Sequence, residues 1–212
     1  MDAILKRQLE KLEYVSPPKF WADQQEELKR IPPSKLKHRD NKTFRENLQA
    51  AAFACGLNMI WAPKIIEFAP FKKDQEESDY DSAIKVRSKG KPDEHFTVQL
   101  KLVPQSDWLP THKDEADSLN DLNIQLSKLP ETYPTPQGTI FVIEVNRNIT
   151  LTNESLSIPN FDAAGLFLLG STSPERSTFV IIGDLLKPKH QRIGQFSLVR
   201  IGDKVMIAPV SA

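Results

Sequence analysis

Two alternating segments around a turn, between Tyr80 and Val103, restrict the fold of this chain more than any other stretch. Tyr80 to Val86 and Phe96 to Val103 place apolar side chains at every second position, the period of a half-buried strand. Lys89-Gly90-Lys91-Pro92-Asp93 between them is turn chemistry, so the spacing predicts an antiparallel hairpin. Residues two apart on a strand share a side. Phe96, Val98, Leu100 and Leu102 therefore form one face of the second strand, and Thr97, Gln99 and Lys101 the other.

The surroundings of the hairpin alternate between helix and strand. Leu5, Leu9 and Leu12 form a helical stripe ending near Pro17-Pro18, and a second helix is expected from Phe20 to Arg30. A third begins at Thr43-Phe44-Arg45-Glu46, which fits a capping box, and is expected to halt at Gly56. Ile65 to Phe68 reads as a strand. Past the hairpin, Leu119, Leu122, Leu126 and Leu129 mark a helix within His112 to Leu129. Thr139 to Val145 and Phe179 to Ile182 are apolar enough for central strands, with a short helix expected around Phe161 to Leu169. Phe196 to Ile207 reads as a final hairpin turning at Gly202-Asp203. The order predicts one α/β domain with a mixed central sheet flanked by helices.

The length of 212 residues suits a single core. No run of about 18 apolar residues is present to span a bilayer, and the N-terminus is charged at once, at Asp2 and then Lys6-Arg7, without a signal-peptide core. The single cysteine, Cys55, forms no internal disulfide, and its alanine-rich helix marks it as a small core residue. These features predict a soluble cytoplasmic protein. The formal net charge is zero, which does not advertise nucleic-acid binding. The distribution is uneven, with a basic segment from Lys29 to Arg45 and a smaller group from Lys187 to Arg192. Neither the four histidines nor the glycines of Gly165 to Gly170 have the spacing of a zinc site or a phosphate loop.

If the apolar faces of the hairpin strands meet one core, Asp81, Gln99 and Lys101 gather at one end of the pair. A carboxylate, an amide oxygen and an ammonium together suit metal-assisted phosphodiester cleavage. Mg²⁺ prefers hard oxygen ligands and keeps several waters. A bound ion acidifies water and offsets charge on a phosphate, and a lysine orients the attacking water.

Asp81, eighteen positions before Gln99-Leu100-Lys101, resembles the signature of the PD-(D/E)xK superfamily, in the glutamine variant found in Mrr-type restriction enzymes. The element order from Thr43 to Val145 is similar to that restriction-endonuclease-like fold as well. The resemblance covers about the middle half of the chain, from about Thr43 to about Asn146, and leaves the rest unexplained. The expected division is an N-terminal helical extension over residues 1–41 and a nuclease-like α/β core over residues 42–212 with C-terminal strands. The resemblance implies Asp81 and Gln99 as ligands of Mg²⁺ or Mn²⁺, Lys101 as the catalytic lysine, and Glu46 as an added acid on the first core helix. The implied activity is endonucleolytic cleavage of nucleic acid, DNA in the first instance, in genome defence or a mobile element. A protein partner or a homodimer is compatible with it; a membrane role is not.

Blander readings stand beside each of these. Gln99 and Lys101 also read as the wet side of a sheet, Glu46 as the capping partner of Thr43, and Asp79 as a loop acid. Glu67 is expected to be a solvent-facing strand residue. Neutral Gln99 in place of an acid also fits a catalytically inactive binding module on the same fold, or an unrelated α/β protein.

Overall fold

The structure is a computed structural model that describes residues 3–32, 35, 41–71, 80–103, 124, 127, 139–145, 164–172, 176–182, 193–201 and 204–209. Among the described residues, three helices, α1 (Ala3–Glu10), α2 (Pro17–Arg30) and α3 (Lys42–Ile60), precede eight strands. The strands are β1 (Ile65–Ala69), β2 (Ser82–Arg87), β3 (Glu94–Val103), β4 (Thr139–Val145), β5 (Ala164–Thr172), β6 (Arg176–Ile182), β7 (Ile193–Ile201) and β8 (Lys204–Pro209). They form one sheet in chain order, β1 to β8. The pairings are antiparallel except β3–β4 and β4–β5, which are parallel. The expected α/β class and mixed sheet are both present.

Local chemistry explains the helix starts. Pro17 and Pro18 occupy the first positions of α2, where a missing N–H costs nothing. Lys29 and Arg30 fall in its last turn, opposite the negative end of the helix dipole. The capping box expected at Thr43 is not formed. Asn41 is the N-cap residue, Thr43 already lies inside α3, and Glu46 pairs with Lys42 instead. Nor does α3 stop at Gly56. It continues to Ile60, because both flanks of Gly56 are buried and their packing outweighs a glycine penalty of about 1 kcal/mol.

The short helix expected around Phe161 to Leu169 is instead the strand β5. Periodicity cannot separate a short apolar run such as Leu166-Phe167-Leu168-Leu169 from helix. Hydrogen bonding on both sides decides it, to β4 in parallel and to β6 antiparallel. The predicted hairpins β2–β3 and β7–β8 are both present. Of the leucine-striped helix, only Ile124 and Ser127 are described, both helical.

The two faces of the first three strands have different partners. Ile66, Phe68, Ile84, Val86, Val98 and Leu100 meet α2 and α3 in the main core. On the other face, Ala69 and Ala83 pack against Leu9 of α1, with Leu5, Leu12, Tyr14 and Tyr80 around them. Eight consecutive residues of α3, Ala50 to Leu57, are buried, so this helix is enclosed on every side. It touches β1, β2 and β3 as well as β6, β7 and β8, with α2 packed beside it. Eight strands laid flat would span about 34 Å, several times the width of a helix. The sheet must therefore curl around α3, a curvature that strand twist supplies. Small side chains at Ala50, Ala51, Ala52, Ala54 and Cys55 allow that close wrapping.

Two asparagines fasten α3 to β1 and to the chain just past it. Asn58 donates Nδ2–H to Ile66 O at 2.9 Å, while its Oδ1 accepts the Ile66 N–H at 2.8 Å. Asn47 does the same for Phe71, at 3.0 and 2.7 Å. Eleven residues of helix and five of extended chain both cover about 16–17 Å, so the two clamps share one register. Phe68 exchanges both of its backbone groups with Val15. No helix among the described residues is long and apolar enough to cross a membrane.

Candidate functional site

β3 runs on past the start of β2, and Asp81 stands at that step. Its N–H donates to Val98 O at 2.9 Å, and its Oδ2 accepts the Leu100 N–H at 2.7 Å. The first turns of α3 lie across this end of the strand pair. Between them is a cavity of about 260 Å³ lined by Lys42, Arg45, Glu46, Gln49, Asp81, Leu100 and Lys101.

Three of the four residues singled out in the sequence therefore share one cavity: Glu46 from α3, Asp81 from just before β2 and Lys101 from β3. Gln99 is not brought to it. It lies half-buried on β3 between Val98 and Leu100 and does not line the cavity. Asp79 falls outside the described residues.

The electrostatics of the cavity centre on Glu46, whose side chain is only 17 % exposed. Burial pushes its carboxyl above the usual value, and the negative charge of Asp81 pushes it further. Lys42 partly offsets this, with Nζ 3.5 Å from Glu46 Oε1. The two carboxylates repel each other, and the cationic side chains of Lys42, Arg45 and Lys101 line the same cavity. Among the described residues no three His, Cys, Asp or Glu side chains converge as a metal-holding group. A cation here would have two carboxylates and otherwise neutral or water oxygens. That donor set fits Mg²⁺ or Mn²⁺, which keep several waters.

Sequence reasoning missed Lys42, Arg45 and Gln49 as cavity residues. Their signal was helical spacing. Lys42 lies four residues before Glu46 and Gln49 three after it, Arg45 lies three after Lys42 and four before Gln49, and positions three and four apart meet on a helix surface.

A second charged cluster lies on the α1 face of the sheet. Glu67 is not solvent-facing as expected: its Oε2 is 2.7 Å from Lys85 Nζ and 2.9 Å from Arg87 Nη2. Cross-strand register places Glu67 opposite Lys85, and Lys85 opposite His95. Lys85 Nζ also sits 4.5 Å from the centre of the Tyr14 ring, which packs against His95. Burial lowers the His95 pKa, opposed by the charges of Glu10 and Asp93. The mutual pairing of these groups ties α1 and its following turn to the sheet.

No known protein family, curated protein or solved structure matches the chain.

Proposed function

We propose that this protein is a metal-dependent phosphodiesterase of the restriction-endonuclease-like type, cutting nucleic acid, with DNA as the first substrate to test. The observation that carries this reading is the cavity shared by Glu46, Asp81 and Lys101, contributed by three separate segments. Support also comes from the element order, a helix, an antiparallel β1–β2–β3 meander, and β4 parallel beside β3.

In this reading Glu46 and Asp81 hold Mg²⁺ or Mn²⁺. When bound, the ion acidifies a water and offsets charge on the attacked phosphate. Lys101 orients the attacking water and balances negative charge as it grows on the phosphate. The Leu100 N–H fixes one oxygen of Asp81, so the carboxylate is oriented before anything binds. Lys42 and Arg45, on the same cavity wall, supply cationic contacts for flanking phosphates.

A specific observation favours a second reading, an inactive nuclease-fold binding module. Asp81 is already engaged by a backbone N–H and Glu46 by Lys42, so both acids have structural employment. The deciding experiment incubates plasmid, single-stranded DNA and RNA with the protein and Mg²⁺ or Mn²⁺, beside Lys101→Ala and Asp81→Asn. Metal-dependent cutting lost in both folded variants supports the enzyme. Absence of cutting by wild type, or equal cutting by the variants, sinks it.

A further inference from the structure

Among the described residues, Gln49 is the one neutral side-chain oxygen donor on the cavity wall, and it sits one helical turn beyond Glu46. We infer that Gln49, rather than Gln99, provides the third protein oxygen for the divalent cation, completing a set of Glu46, Gln49 and Asp81. This inference rests on the metal-dependent reading above.

Three observations converge on it. Hard cations take oxygen ligands, and among the described residues two carboxylates are the only acids lining this cavity. Residues three apart on a helix meet on one face, so Glu46 and Gln49 approach the same space from α3. Gln99 lines no part of that space.

The chemistry of the pair also favours an amide over a third acid. Glu46 and Asp81 already bring two carboxylates to the same cavity, and a third acid beside them would add like-charge repulsion in the absence of a cation. An amide oxygen adds a ligand without adding repulsion. The assignment divides the labour: α3 carries two of the three donors, and β3 is left with the lysine that faces the reacting water.

The test is calorimetric titration of Mn²⁺ into the full chain as wild type, Gln49→Leu, Gln49→Glu and Gln99→Leu, with thermal unfolding without metal as a check on folding. Loss of one ligand should weaken Mn²⁺ binding about tenfold in Gln49→Leu. Gln99→Leu should stay within about twofold of wild type, and Gln49→Glu should bind more tightly, because charge is added where the cation sits. The near-isosteric Gln49→Glu keeps the test sound if Gln49→Leu fails to fold. Wild-type binding that Gln49→Leu and Gln49→Glu leave unchanged, or that Gln99→Leu weakens instead, overturns the inference and leaves the metal reading standing. No binding by wild type overturns both.

Discussion

The carboxylate of Asp81 continues the β2 ladder beyond its last backbone pair: Oδ2 accepts the Leu100 N–H at 2.7 Å while the Asp81 N–H reaches Val98 O at 2.9 Å. One residue thus closes the end of a strand pair and lines the cavity beside Glu46 and Lys101. The two roles are separable by substitution.

Asp81→Ala removes the acceptor and strands the Leu100 N–H, which should cost about 1–2 kcal/mol in urea denaturation. Asp81→Asn keeps an acceptor oxygen and should stay close to wild type in stability while losing the charge. Hydrogen exchange at the Leu100 amide provides the local check, fast in the alanine variant and protected in the asparagine one. Equal exchange in both would show that the bond does not hold this corner.

Glu46 gives the protein a pH signature. Its carboxyl titrates above the ordinary 4.5, from burial first and Asp81 second. The folded state therefore binds this proton more tightly than the unfolded chain does. That contribution is fully present below about 4.5 and is lost as pH rises through the folded value. Glu46→Gln removes the ionisation and should be more stable than wild type at neutral pH, with the gap closing in acid. Denaturant midpoints at pH 4 and pH 7.5 test this, and a gap that widens in acid contradicts it.

The asparagine clamps should be individually expensive to remove. Asn58→Ala leaves the Ile66 N–H and C=O without their partners, and Asn47→Ala does the same to Phe71. Each should cost about 1–3 kcal/mol in thermal or chemical unfolding. Asn58→Asp keeps the acceptor but loses the donor to Ile66 O, and should fall between wild type and alanine.

Much of this architecture was legible because it rests on local pattern. The β2–β3 hairpin follows from alternation around a glycine-proline turn, and Gly90 takes the positive φ of 75° that such a turn favours. Glu46, Asp81 and Lys101 were legible as a group because a strand's period and one helix suffice to bring them near each other. What was not legible depends on partners far along the chain. β5 is a strand because β4 and β6 flank it, and Glu67 is drawn into an ion pair by Lys85 from the neighbouring strand. Gln99 was expected with Lys101 from strand period alone. The cavity forms where β3 outruns β2 and meets α3, a step in the sheet that no single segment encodes.

The outer backbone groups of β1 have one further consequence. Ile66 spends its N–H and C=O on Asn58, and Phe68 spends both on Val15. An open strand border is a template on which another chain can polymerise. Here that border is sealed from within the molecule, by a side-chain amide and a single residue of the α1–α2 connection. Crowding copies of this protein together should therefore not zip them into a continuous sheet along β1, however concentrated they become.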